Sequence, residues 1–135
     1  MNAAGDIAIS GVLANGASWQ IGIRNPFESD TDFETLNLSR CGVATSGRDR
    51  RRWSQNGSPR HHIIDPSTGQ PAETDVMTAT IVAPTVMEAE AAAKAVLILG
   101  AEEGLKWIEA DPELAGIIVL ENGHTFYSQR ISQYL

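Results

Sequence analysis

The chain has 135 residues, of which 42% are hydrophobic and 20% are charged, and this composition is typical of one folded domain with a single core. A net charge of −7 argues against nonspecific nucleic-acid binding, which needs a basic surface. The single cysteine, Cys41, excludes an intrachain disulfide, and no apolar stretch has the length of a membrane span. We therefore expect one domain over residues 1–135, with no nucleic-acid partner and no membrane-spanning segment.

Short alternating runs in the first two thirds of the chain predict strands that are separated by Gly, Asn and Pro turns. These runs cover residues 6–10, 18–23, 36–39, 43–46, 61–64 and 77–83. A closing pair of strands, 116–120 and 125–129, flanks Glu121-Asn122-Gly123, and Asn-Gly is a strong hairpin signal.

Two helices are predicted between these groups of strands. The long one starts at Pro84-Thr85, where Thr85 and Glu88 have the spacing of a capping box, and it ends at Gly100. The short one covers residues 102–109 and stops before Asp111-Pro112. This order of elements predicts an α+β fold, with one long and one short helix packed on a mostly antiparallel sheet.

Glu90 and Lys94 form an i,i+4 pair on the long helix. With an advance of about 100° per residue, they fall in an arc that also holds Val86, Leu97 and Ile98. One interpretation is that the pair lines a site, because charges that face a core must be compensated. The other is an ordinary solvated pair that contributes a few tenths of a kcal/mol.

The basic residues are concentrated in one segment. Residues 40–60 hold six of the ten, with Asp49 as the single acid of that segment. Such a segment suits a small anionic ligand better than a polynucleotide, and a solvated arginine loop is the alternative.

The run HHIIDPSTGQP, residues 61–71, joins two histidines and a carboxylate to a rigid turn. Asp65-Pro66 and Thr68-Gly69 both favour tight turns. Alternation along a strand places His61 and His62 on opposite faces, so one of them can point into a given site. Both can also be surface or core-edge residues. Zinc-ligand spacing is absent, and so is the G-x-S-x-G motif of a serine nucleophile.

The same run resembles the signature of the FAD:protein FMN transferases, the ApbE-like flavin transferase family. Other segments are similar to family motifs in the same order. They are NAAGDI at 2–7, WQIGIRNP at 19–26, VATSG at 43–47, VAPT at 82–85 and LILG at 97–100. The resemblance extends over residues 2–120.

The resemblance implies that FAD is cleaved at its pyrophosphate with a divalent metal, usually magnesium. FMN is then attached through a phosphoester to a Ser or Thr of a target protein. His62 is implied as the base for the acceptor hydroxyl, and a neutral imidazole near pH 7 suits that role. The implied flavin- or phosphate-binding residues are Thr45, Ser46, Ile64, Asp65 and Lys94, and the implied metal ligand is Glu90.

Two departures from the family pattern modify these expectations. The family's metal-binding helix carries Thr where this chain has Lys94, and a protonated lysine cannot bind Mg²⁺, so magnesium is a doubtful cofactor here. The family's upstream motif G-x-x-x-K-G-Y-x-x-D has no counterpart either. We therefore expect the C-terminal half of such a protein, with the missing N-terminal half as a partner and little transfer activity alone.

The alternative to the enzyme is a non-catalytic flavin- or nucleotide-binding domain, or a partner-binding domain, of the same fold. The resemblance implies a bacterial protein of the cell envelope, the periplasm or the cytoplasm, without choosing among these compartments.

Overall fold

The structure, a computed structural model, describes residues 2–3, 6–28, 30–48, 53–55, 58–60, 64–71 and 74–135. Its strands are β1 (Asn2–Ala3), β2 (Asp6–Ile9), β3 (Trp19–Arg24), β4 (Asp32–Leu38), β5 (Cys41–Gly47), β6 (Trp53–Gln55), β7 (Ser58–Arg60), β8 (Ile64–Asp65), β9 (Gln70–Pro71), β10 (Val76–Ala83), β11 (Ala115–Leu120) and β12 (Thr125–Tyr127). The helices are α1 (Val86–Leu99), α2 (Ala101–Ala110) and a 3₁₀ helix, Gln129–Tyr134.

The main sheet has the strand order β1-β2-β5-β10-β11-β12, and every neighbouring pair is antiparallel. β10 is central and is buried at all eight positions. A strand covered on both faces needs apolar or small residues throughout, and the sequence VMTATIVA meets that need with two threonines as its only polar members.

Different elements cover the two faces of this sheet. On one face, Ala44 and Ile81 belong to a buried cluster with Leu97 of α1 and other residues of both helices. On the opposite face, Val43 and Ile117 belong to a cluster that includes residues of the β3–β4 hairpin and of the 3₁₀ helix. The sheet is therefore the middle layer between the helices and the hairpin.

Local sequence signals fix the ends of α1. The Thr85 hydroxyl accepts a hydrogen bond from the Glu88 amide at 3.2 Å, and the Glu88 carboxylate accepts one from the Thr85 amide at 3.1 Å. Gly100, at φ 89°, ends the helix. Gly42 of β5 lies directly beneath the start of α1, where a Cβ atom would overlap the backbone of Thr85 and Val86.

The predicted fold class, α+β with a mostly antiparallel sheet and one long and one short helix, is confirmed. The last predicted strand, 125–129, is too long. The chain turns away after Tyr127 because Gly116 exchanges hydrogen bonds with Ser128, its amide donating to the hydroxyl and its carbonyl accepting from the Ser128 amide. The 3₁₀ helix follows. Within the described ranges, no helix is long and apolar enough to cross a membrane.

Candidate functional site

The DPSTGQP turn lies in the stretch between β5 and β10, residues 48–75, which we call the β5–β10 connection. Within it, β6 pairs with β7 and β8 pairs with β9, both antiparallel. Ile64 faces Pro71 and Asp65 faces Gln70, so residues 66–69 form the predicted tight turn and are exposed. Gly69 has φ 69°, a left-handed conformation that glycine adopts without strain.

The candidate base lies outside the described residues, as does the other histidine of the motif. His61 and His62 fall in the gap at 61–63, and of Ile64 and Asp65 the backbone alone is described. The assignment of His62 as the base, and of Ile64 and Asp65 as ligand contacts, therefore stays a prediction.

Thr45 and Ser46 point to opposite faces of the sheet because they are neighbours on β5. The Thr45 hydroxyl lies 2.9 Å from the hydroxyl of buried Thr80 on β10, on the face covered by the hairpin. Ser46 is buried on the helix face, opposite Ala79. The two hydroxyls therefore cannot meet one ligand from the same side, although each stays a candidate contact.

Glu90 and Lys94 pair with each other at the surface of α1. The Lys94 ammonium donates to the Glu90 carboxylate, and their side chains are 46% and 43% exposed. The face that α1 buries is made of Ala89, Ala92, Ala93, Val96 and Leu97, so it shares Leu97 with the predicted arc and turns away from Glu90 and Lys94. The arc predicted to face the core was therefore wrong in its centre, and the exposure of the pair agrees with the alternative of a solvated pair. Alanine lies on nearly every side of the helix, so the sequence pattern does not show which side is buried. In the structure, Ala89, Ala92 and Ala93 lie against the sheet.

This pair tests whether the chain can hold a divalent metal. Mg²⁺ prefers oxygen ligands, and here the carboxylate of Glu90 already accepts from an ammonium, which is a donor group and no ligand. In the described part of the chain, no three His, Cys, Asp or Glu side chains are grouped so that they could hold a metal ion. The side chains that the structure describes around Glu90 therefore do not form a set of oxygen ligands that fits magnesium.

Arg48, at the start of the connection, is tied to two other strands. Its amide donates to the Met77 carbonyl at 2.9 Å, and its Nε donates to the Val76 carbonyl at 2.8 Å. Its guanidinium also forms an ion pair with the carboxylate of Glu121, which follows β11. The Arg48 side chain is only 12% exposed, so this arginine is neither solvated nor open to a ligand in the way the basic segment suggested.

The end of the connection is anchored as well. The Thr74 hydroxyl donates to the Leu97 carbonyl at 2.7 Å, and the Asp75 carboxylate accepts from the Ala101 amide, the first amide of α2, at 3.1 Å. The Asp75 carbonyl accepts from the Glu121 amide at 2.9 Å. The prediction from sequence missed Asp75 and Glu121, because their partners lie far away in the chain and no local pattern marks them.

Two of the open cavities that the described residues form lie on the helix side of the molecule. One, of about 440 Å³, is lined by Asp75, Ala101, Glu102, Leu105, Lys106, Leu120 and Phe126. The other, of about 410 Å³, lies between α1 and α2 and is lined by Pro84, Glu88, Ala91, Ala92, Ala95, Trp107, Asp111, Glu113 and Leu114. Neither lining includes a hydroxyl, thiol or imidazole, and the ionisable groups of both linings are carboxylates and the Lys106 ammonium.

Comparison with known proteins gives the same answer from sequence and from structure. A sequence model of the ApbE family matches residues 1–118. The FAD:protein FMN transferase of Treponema pallidum is 33% identical over 112 residues, which are 82% of this chain and 31% of that protein. That of Salmonella typhimurium is 26% identical over 131 residues, which are 96% of this chain and 37% of that protein.

The solved structures extend the likeness to three dimensions. The ApbE protein of Thermotoga maritima superposes with a TM-score of 0.88 at 31% identity, over 98% of this chain and 43% of that one. The flavin transferase ApbE of Vibrio cholerae gives a TM-score of 0.78 at 26% identity, over 98% of this chain and 43% of that one. The chain thus spans less than half the length of these relatives.

Proposed function

The chain belongs to the ApbE family, and on this premise we propose that it takes part in transferring FMN from FAD to a Ser or Thr hydroxyl of a target protein. The observation that carries the proposal is the HHIIDPSTGQP run. Its described part is a hairpin with an exposed turn, held where the chain passes from β5 to β10. An exposed turn at a strand end is a typical place for a binding residue on a rigid scaffold.

In the proposed reaction, His62 takes the proton of the acceptor hydroxyl. The hydroxyl oxygen attacks the phosphorus on the FMN side of the FAD pyrophosphate, the P–O bond to the other phosphate breaks, and AMP leaves. A phosphoester then joins FMN to the acceptor. The role of the fold in such a transfer is to position the base and the diphosphate, because phosphoryl transfer depends mainly on positioning and electrostatics.

The proposal is supported by the names of the relatives, FAD:protein FMN transferase, and by likeness over nearly the whole of this chain. Because the chain spans 37% of the Salmonella protein, we propose that the 135 residues alone bind FAD and show little transfer activity. FAD and an acceptor protein with a Ser or Thr are the proposed partners.

Two measurements test the proposal, one for FAD binding and one for FMN transfer. Titration of FAD into the 135-residue chain, followed by quenching of flavin fluorescence, should show saturable binding. For transfer, residues 1–135 should replace the matching part of a longer relative, and a Thr-containing acceptor should become fluorescent in a denaturing gel. His62→Asn should abolish labelling and leave FAD binding in place. Labelling that persists in His62→Asn refutes the base assignment, and a chain that binds no FAD refutes the flavin site.

The second candidate is a flavin-binding domain without transfer activity. The Glu90–Lys94 contact favours it, because the described donor set does not fit the metal on which the family chemistry is expected to depend. This candidate predicts FAD binding by the chain and no labelling in the chimaera, with or without His62. The gel assay therefore separates the two functions.

A further inference from the structure

Arg48 and Glu121 together contact both ends of the β5–β10 connection. At the start of the connection, the Arg48 side chain and amide donate to the carbonyls of Val76 and Met77, the first two residues of β10. The regular β5–β10 register ends one residue earlier, at Gly47 and Thr78. Arg48 therefore continues the pairing at the point where the chain leaves the sheet, with its amide bound to Met77 and its side chain to Val76.

Glu121 acts on both ends at once. Its carboxylate pairs with the Arg48 guanidinium, and its amide donates to the carbonyl of Asp75, the last residue of the connection, at 2.9 Å. Glu121 itself is fixed by its position in the turn between β11 and β12, where Gly123 donates to the Leu120 carbonyl. Glu121, in the turn between β11 and β12, thus contacts both the point where the connection leaves the sheet and the point where it returns.

The Arg48–Glu121 pair differs from an ordinary surface ion pair in geometry and in the burial of its arginine, whereas the Glu121 side chain is 52% exposed. The Glu90–Lys94 pair joins two positions of one helix and is nearly half exposed on both sides. Arg48 is 12% exposed, and its nitrogens reach Val76, the first residue of β10, and Glu121, the residue after β11. A planar guanidinium can donate in several fixed directions, which a lysine ammonium on a flexible stem does not reproduce.

We infer that Arg48 and Glu121 form a positioning pair, which fixes both ends of the β5–β10 connection to the sheet and thereby sets where the DPSTGQP turn lies. Neither residue needs to touch a ligand for this role. The inference rests on the proposed function only in its consequence for FAD. Its mechanical part, that the pair holds the connection, can be tested without any ligand.

Hydrogen exchange of backbone amides tests the mechanical part. Arg48→Lys keeps the charge and loses the multi-directional donor, and Glu121→Gln keeps the size and loses the charge. Arg48→Lys should speed exchange at Ile64, Asp65 and Gln70 by about tenfold, the effect expected when a hydrogen bond from a charged group is lost. Glu121→Gln should speed it by roughly two- to fivefold, because the carboxylate that it replaces is half exposed. Exchange in β11 should change much less. Arg130→Lys is the matched control, because Arg130 also donates to backbone carbonyls, those of Glu109, Asp111 and Leu114.

The exchange result decides the inference in either direction. Unchanged exchange at residues 64–70 in both variants overturns it, and so does an equal acceleration in Arg130→Lys. If Arg48→Lys lowers the stability of the whole chain, β11 will exchange faster too, and Glu121→Gln then gives the decision.

FAD titration tests the functional consequence separately. If the wild-type chain binds FAD, Arg48→Lys should raise the dissociation constant by about tenfold, and Arg130→Lys should leave it unchanged. Unchanged FAD affinity in a variant whose connection exchanges faster overturns the claim that the pair positions the flavin-binding turn. A wild-type chain that binds no FAD refutes the proposed function, and the exchange data still decide whether Arg48 and Glu121 hold the connection.

Discussion

β10 and the β8–β9 hairpin lie close together in the chain but are held by different kinds of contact. β10 is buried at all eight positions between two apolar clusters and pairs with a strand on each side. The hairpin of residues 64–71 forms a sheet of two short strands, and its turn residues are exposed. The framework, by which we mean the main sheet with α1, α2 and the β3–β4 hairpin, is therefore stabilised by apolar burial. The described contacts at the two ends of the connection that carries the β8–β9 hairpin are instead the hydrogen bonds and the ion pair of residues 48, 74 and 75.

This difference has a consequence for function. Substitutions in the framework should change the free energy of unfolding and reach the candidate site only through it. Substitutions in the connection should change the position or order of the DPSTGQP turn at little cost to the whole fold, because local opening requires less free energy than global unfolding.

The largest effect is expected from Ile81→Ala in the centre of β10. Ile81 is fully buried in the cluster beneath the helices. Removing its outer carbons should lower the free energy of unfolding by about 2–5 kcal/mol, through lost burial and the cavity that remains. Met87→Ala on α1 is the control, because Met87 is 77% exposed and should change stability by less than about 0.5 kcal/mol. Urea denaturation measures both, and equal effects would contradict the position of β10 at the core.

A smaller and more local effect is expected from Gly69→Ala in the turn. No atom lies within 4 Å of the position of the added Cβ, so the cost arises from the left-handed φ of 69° and amounts to about 1–2 kcal/mol. We expect this strain to change the conformation of the turn and thereby to lower FAD affinity by roughly fivefold or more.

Gly16→Ala provides the matched control for the turn substitution. Gly16 has φ 84° and equally open surroundings, but it lies in the turn between β2 and β3. Gly16→Ala should lower the free energy of unfolding by a similar amount and leave FAD affinity unchanged. An equal loss of affinity in both variants would mean that the DPSTGQP turn has no special relation to flavin.

The framework was largely predictable from sequence because its signals are local. The Thr85–Glu88 capping box and Gly100 placed both ends of α1, and apolar runs placed β10 and β11 to within one residue at each end. β4 was predicted too short, at 36–39 in place of Asp32–Leu38. Its first half is mostly polar and becomes a strand by pairing with β3.

The candidate site was less predictable because it depends on contacts between distant residues. The DPSTGQP turn was predictable from its Pro and Gly, but the Arg48–Glu121 pair joins residues that no periodicity relates. The buried face of α1 was misjudged for a further reason. Among so many alanines, hydrophobicity does not distinguish the sides of the helix, and the contact with β5 and β10 selects one of them.

The substitution Lys94→Thr tests whether the Glu90–Lys94 pair belongs to the candidate site or to the surface of the framework. The pair is exposed and spans one helical turn, so its loss should cost only about 0.2–0.5 kcal/mol. Removing the ammonium also frees the Glu90 carboxylate. We expect calorimetric titration with FAD present to show tighter Mg²⁺ binding, by at most about tenfold, because solvent screens an exposed pair.

The control for this substitution is Lys106→Thr on α2. Lys106 pairs with Glu102 at 3.2 Å and Glu103 at 3.3 Å, also on an exposed helix surface. Lys106→Thr should lower the free energy of unfolding as little as Lys94→Thr does, and it should leave the Mg²⁺ isotherm unchanged. Identical isotherms for wild type and Lys94→Thr would mean that Glu90 is a surface residue of the framework and no metal ligand.

The smallest effect concerns the start of β5, the end of that strand opposite to Arg48. Burial raises the pKa of Tyr134 in the 3₁₀ helix, and the negative charge of the Cys41 thiolate raises it further. Burial also raises the pKa of Cys41, against a smaller lowering by a hydrogen bond with the backbone of Ser39. Above roughly pH 8.5–10, where these groups ordinarily lose their protons, the unfolded chain binds fewer protons than the folded one. Stability should therefore fall as the pH rises through that window.

A tyrosine titration followed by near-ultraviolet absorbance tests this link between β5 and the 3₁₀ helix. It should be made in a Tyr127→Phe background, because Tyr127 also has a raised pKa, first from burial and then from Glu34. Cys41→Ser should lower the pKa of Tyr134 and leave it above its ordinary value, since burial remains the larger cause. FAD affinity should not change, because this end of β5 belongs to the framework. A change in FAD affinity without a change in the titration would contradict the division of β5 into a framework end at Cys41 and a site end at Arg48.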